Sequence, residues 1–188
     1  YADYAGSGFQ HLSQVQRLTG GAAVLDYTHE KSPGACVRLR LLPAAGQRVM
    51  TAEARVSPVK WPQVLHYALV RSVRSEAESA ATEPLTSRFA AVIEPNNGKP
   101  FITEAERLEI PHGVGIIVAR EGGDTDVIIV GEAGNRKQIS VRGNTITTEA
   151  RVMVGTLAEN GDWRRLWFAD GESTRVGADR RVMGLGWT

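Results

Sequence analysis

Apolar and polar side chains alternate along most of this chain with a period of two, in short runs of Val, Ile, Thr, Leu and aromatics separated by Gly, Asn, Asp and Pro. Such a period places successive side chains on opposite faces of a strand, so the pattern predicts an all-β protein. "HLSQVQRL" is a first strand, and "AAVLDYTHE" sets Val24, Asp26 and Thr28 on one face against Leu25, Tyr27 and His29 on the other. In "ACVRLRLLP" the alternation points Val37, Leu39 and Leu41 inward and leaves Arg38 and Arg40 to water. "QRVMTAEARV" opposes Thr51, Glu53 and Arg55 to Met50, Ala52, Ala54 and Val56. "QVLHYALVRSVRSEAESAATE" fits both periods: Leu65, Leu69, Val73 and Ala77 recur at helical spacing, whereas its β neighbours favour a strand from Val64 to Val73.

From Thr86 onward the pattern sharpens. "TSRFAAVIEP" is almost continuously apolar after Phe89, the mark of a strand covered on both faces. Pro95 should end that strand because it has no N–H for a ladder. The loop "EPNNGKP" then reads as a compact reversal between two paired strands, with Glu94 and Lys99 placed to pair across its mouth. Further strands follow in "GVGIIVAR", "TDVIIVGE", "KQISVR", "NTITTEA", "RVMVGTLA", "DWRRLWFA" and "STRVG". "EGGD", Gly143-Asn144, Asn160-Gly161 and Asp170-Gly171 supply hairpin turns between them. Strands at this spacing, joined by hairpin and meander connections, predict a large antiparallel β-sandwich, a single domain over residues 1–188.

Composition narrows the partners. The formal net charge is +1, with 22 basic and 21 acidic residues interspersed, which argues against nucleic acid as a partner. The densest basic patches, around Arg71 and Arg74, Arg164 and Arg165, and Arg180 and Arg181, read as solvated strand faces and turn ends. No apolar run approaches a membrane helix, so no membrane partner is expected. The single Cys36 permits neither an intrachain disulfide nor a cysteine zinc cluster.

Candidate chemistry is sparse. His11, His29, His66 and His112 lie far apart without any paired metal-ligand spacing, so no metal and no cofactor are expected. His29 is the most notable, flanked by Asp26, Tyr27 and Glu30, and His66 with Tyr67 is second. No GxSxG elbow or P-loop occurs, and "GSGF" at Gly6 to Phe9 lacks the βαβ setting of a phosphate loop. Trp61, Trp163, Trp167 and Trp187 are of the kind that stacks on sugar rings. Core and edge packing is the preferred reading for them, with Trp163 and Trp167 sharing a face at strand spacing.

The run "SRFAAVIEPNNGKPFITEAERLEI" resembles a segment of heparinase II/III-like polysaccharide lyases, in which Ser and Phe open a strand, Val-Ile-Glu-Pro closes it and a Gly-containing turn leads to a second strand. The upstream order "GFQHLSQVQRL", "AAVLDYTHE", "VRLRLLP" and "HYALVRSVRS" is similar too. The resemblance implies the C-terminal β-sandwich of a longer protein whose N-terminal part is an α/α toroid. It further implies β-eliminative cleavage of a uronate-containing polysaccharide in the cleft between them, and a secreted or periplasmic location. The toroid's active-centre Asn, His and Tyr have no counterpart in these residues, so catalytic residues stay unassigned and this portion alone is expected to be inactive. β-Elimination needs a base for the proton beside the uronate carboxylate and donors for the enolate charge. Tyr27, His29, His66 and Arg71 are the side chains expected to contact substrate. A noncatalytic glycan-binding or assembly module is the alternative.

Overall fold

A computed structural model describes residues 11–19, 23–29, 31–55, 64–72, 86–171, 173–177 and 180–183. The "GSGF" turn, Trp61, Trp187 and the stretch after Ser72 through Pro84 lie outside the described residues. The all-β expectation holds, every extended element among the described residues being a strand. The chain divides into two compact units: Tyr1–Val24 with Pro43–Phe89, and Leu25–Leu42 with Ala90–Thr188.

In the first unit β1 (Leu12–Leu18), β4 (Gln47–Arg55) and β5 (Val64–Ser72) form an antiparallel sheet in the order β1-β4-β5. The ambiguous segment after Pro62 is therefore a strand, as its neighbours suggested. Met50, Ala52 and Ala54 of the central strand are buried, so its alternation is as the sequence reads. A bulge in β1 lies between Ser13 and Gln16, and Gln14 takes a positive φ there.

Three sheets lie in the second unit among the described residues. β2 (Ala23–His29), β3 (Ser32–Leu41) and β6 (Ala91–Asn96) make a small one in the order β2-β3-β6. β7 (Ile102–Ile110), β8 (Gly113–Arg120), β9 (Thr125–Gly131), β12 (Val152–Leu157) and β13 (Trp163–Ala169) make a five-stranded sheet in the order β13-β12-β9-β8-β7. β10 (Lys137–Val141), β11 (Asn144–Thr148), β14 (Ser173–Val176) and β15 (Arg180–Met183) make a four-stranded sheet in the order β10-β11-β14-β15. The last two sheets form the sandwich. Its core joins Val127, Ile129, Met153 and Leu157 of the larger sheet to Ile139, Val141, Ile146 and Val176 of the smaller.

Several details depart from the sequence reading. β6 runs through Pro95, which pairs with Val37, and it is an edge strand, where a missing N–H costs nothing. It is not covered on both faces, since Ile93 is 68% exposed. "EPNNGKP" does not link paired strands, because β6 and β7 belong to different sheets. Asp170-Gly171 likewise carries the chain from the five-stranded to the four-stranded sheet and closes no hairpin. A Cβ on Gly171 would stand 2.4 Å from the Cα of Ala150, so close backbone approach explains this glycine. Arg142 and Gly143, with φ of 48° and 75°, make the two-residue turn that joins Val141 to Asn144.

Candidate functional site

Glu94 is fully buried, at 0% exposure, yet its environment keeps it ionised. Burial raises its pKa, but Ile102 and Phe101 donate backbone N–H bonds to Oε1 at 2.7 and 2.6 Å, and Arg40 donates to Oε2 at 3.2 Å. The donors prevail and the carboxyl lies below its ordinary value. Arg40, only 8% exposed, also reaches the carbonyl of Ile102 at 2.6 Å. The expectation that Arg40 faces water is thus corrected, as is the Glu94 and Lys99 pair: Lys99 instead meets Glu121 at 3.3 Å. Val37, expected inside, is 41% exposed. One ion pair with an acceptor carbonyl turns the "EPNNGKP" loop into a fixed corner.

The four side chains expected at substrate stand on two strands belonging to the two different units. Tyr27, half-buried, and His29, exposed, share one face of β2. Asp26 points the other way, where Arg38 donates two bonds of 2.7 Å to its carboxylate. His29 Nδ1 accepts the Lys31 N–H at 3.2 Å. On β5, His66 lies 3.5 Å from Glu53 Oε1 across the ladder, and Arg71 pairs in register with Arg48. His66 and Arg71, an odd number of positions apart, project from opposite faces of that strand.

A more organised surface lies on the outer face of the five-stranded sheet. Met153, Gly155 and Leu157 point into the sandwich, so Val152, Val154 and Thr156 point out. Registers extend each into a row across neighbouring strands. Val154 stands between Trp167 and Ile128, giving an apolar row; Thr156 stands between Arg165 and Asp126, giving a polar one. Trp167 is 58% exposed, and with Val154, Arg165, Thr156, Asp126 and Arg120 it lines an open trough of ≈ 460 Å³.

The polar row is ordered by its own bonds. Asp126 accepts the Thr156 hydroxyl at 2.7 Å and pairs with Arg120 at 3.1 Å. Arg120 also approaches Asp124 at 3.5 Å, and Asp124 in turn is 3.2 Å from Arg164. Arg165 has no ion-pair partner among the described residues. A flat indole beside a row of donors and acceptors matches a sugar ring, whose axial C–H groups form an apolar face and whose hydroxyls lie round its edge.

Sequence spacing alone hid this arrangement. Trp163 and Trp167 do not share a face: the register shifts where Thr156 faces Arg165 but Leu157 faces Trp163, so Arg164 is an extra residue in β13. The bulge turns Trp163 into the core, against Gly155, and leaves Trp167 outside. A Cβ on Gly155 would come within 2.2 Å of the Trp163 ring. The clue in the sequence is "WRRLW" beside the Asn160-Gly161 turn, where paired arginines flag a strand that changes face.

No group of three or more His, Cys, Asp or Glu placed to hold a metal occurs among the described residues. No helix there is long and apolar enough to cross a membrane. Comparison with protein-family models, with characterised proteins and with solved structures finds no match.

Proposed function

We propose that the sandwich is a noncatalytic, glycan-contacting part of a polysaccharide lyase that cleaves uronate-containing chains by β-elimination. The observation that carries glycan contact is the pairing of the exposed Trp167 row with the ordered Arg165, Thr156 and Asp126 row. In such a trough the indole covers the apolar face of a pyranose while Thr156, Asp126 and Arg120 meet its hydroxyls, and Arg165 is available to a uronate carboxylate. Placement in a lyase is favoured by the Ser87 to Ile110 run and its resemblance to heparinase II/III-like enzymes. Asp126, already held by Arg120 and Thr156, serves as an acceptor for hydroxyls rather than a free base. Proton abstraction is assigned to the helical toroid of the same protein.

Calorimetric titration with heparan-type and alginate-type polymers tests the reading, followed in parallel by tryptophan fluorescence. Binding that weakens about tenfold in Trp167→Ala, with an unchanged melting temperature, is the expected result. Equal binding by that variant sinks the trough. Ultraviolet absorbance of the unsaturated sugar product should stay flat with this polypeptide alone and rise when the toroid is added. A rise without it would overturn the division of labour.

A further inference from the structure

The outer face of the four-stranded sheet is chemically unlike the Trp167 trough, and from it we infer a second site that takes an oxyanion, the sulfate or carboxylate group of a polyanion. Inward-facing Ile139, Val141, Ile146, Thr174 and Val176 fix the faces of β10, β11 and β14. Thr147, Ser173 and Arg175 therefore face solvent, with Thr147 and Arg175 opposite one another in the ladder. Arg136 precedes the fully buried Lys137 and so stands on this same outer side. Together with Thr148 and Glu149 these residues line an open pocket of ≈ 230 Å³.

Two observations point to an anion. First, neither Arg136 nor Arg175 forms an ion pair among the described residues, although Glu149 lines the same pocket and Arg164, Arg120 and Arg107 elsewhere all have carboxylate partners. Second, Thr147 and Ser173 add hydroxyl donors to the same pocket as the two guanidinium groups, while the Thr148 hydroxyl is already occupied with Thr174 at 2.8 Å. Two planar cation forks and two hydroxyls lining one pocket suit the tetrahedral or planar oxygens of sulfate or carboxylate. Glu149 follows Thr148 and so falls opposite Ser173 as the ladder continues, where it repels an anion and favours its seat beside Thr147 and Arg175. The anion chemistry is independent of the proposed function; only the identification of its carrier as a glycan rests on that reading.

The test titrates the whole chain with inorganic sulfate, with dextran sulfate and with alginate, against Arg136→Gln/Arg175→Gln. Arg17→Gln/Arg55→Gln, which removes two exposed charges from β1 and β4, controls for net charge. The site predicts binding about tenfold weaker in the first variant and within about twofold of the parent in the second. Loss confined to dextran sulfate assigns the site to sulfate esters, and loss confined to alginate assigns it to carboxylates. Arg136→Lys/Arg175→Lys, retaining charge without the fork, should recover part of the affinity. Equal weakening in both glutamine variants, or none in either, overturns the site. Trp167→Ala separates the two ideas, since loss there with retention in Arg136→Gln/Arg175→Gln removes this pocket and leaves the trough standing.

Discussion

At the scale of single residues, buried charge decides more than exposed charge. Glu94→Gln leaves the Arg40 guanidinium without its counterion in a sealed corner, and the expected loss is about 3 kcal/mol in urea unfolding. Lys99→Ala, which removes an exposed pair with Glu121, should change stability by under about 0.5 kcal/mol. Because the Glu94 pKa is lowered on folding, its contribution is complete above the ordinary glutamate value and is lost as pH falls through the lowered one. Unfolding followed down the acid limb should therefore be shallower in Glu94→Gln than in the parent. Little of this was legible in sequence. Alternation assigned Arg40 to water because period alone does not reveal that Glu94, 54 positions on, meets it as an acceptor.

At the scale of elements, the strands themselves were readable and their partners were not. Period two located nearly every one, and the Asn160-Gly161 turn joins ladder neighbours as expected, while the turn read at Gly143-Asn144 sits one residue earlier, at Arg142-Gly143. Which strands pair across a loop depends instead on what each face must cover. Asp170-Gly171 has the same chemistry as a hairpin turn, yet it crosses between sheets because Gly171 passes against Ala150. The bulge at Arg164 is similarly invisible to a count of two, and it separates an inner Trp163 from an outer Trp167. Deleting Arg164 removes the extra residue and forces one of the two indoles onto the wrong face. The expected cost is about 3 kcal/mol or more, with collapse of the near-ultraviolet tryptophan signal. Gly155→Ala tests the inner half alone, since its methyl group collides with the Trp163 ring and should cost about 2 kcal/mol.

At the scale of the whole molecule, the sandwich in the second unit presents two outer faces of different character. One carries the indole with an ordered polar row, the other two guanidinium groups without an ion-pair partner among the described residues, together with hydroxyls. The expected contact set of Tyr27, His29, His66 and Arg71 is divided between the two units, with His66 and Arg71 turned to opposite faces of β5. Those residues stand out by chemical type, whereas the trough is built from Thr156, Asp126 and Arg165, whose meaning appears only once β9, β12 and β13 lie side by side.

Between the sandwich strands, Lys137 is wholly buried, its stem lying against Gly113 and Gly131 and its ammonium donating to the carbonyls of Glu132 and Asn135. Desolvation lowers its pKa despite the opposing pull of Glu132 and Glu149, so its contribution to stability grows as pH rises toward the ordinary lysine value. Stability measured across the alkaline limb should climb less in Lys137→Met than in the parent. The same enclosure makes this amine a reporter of intactness. Brief acetylation with an amine-reactive ester should tag Lys99 and spare Lys137, and a peptide map showing the second mark would date the moment the sandwich came apart.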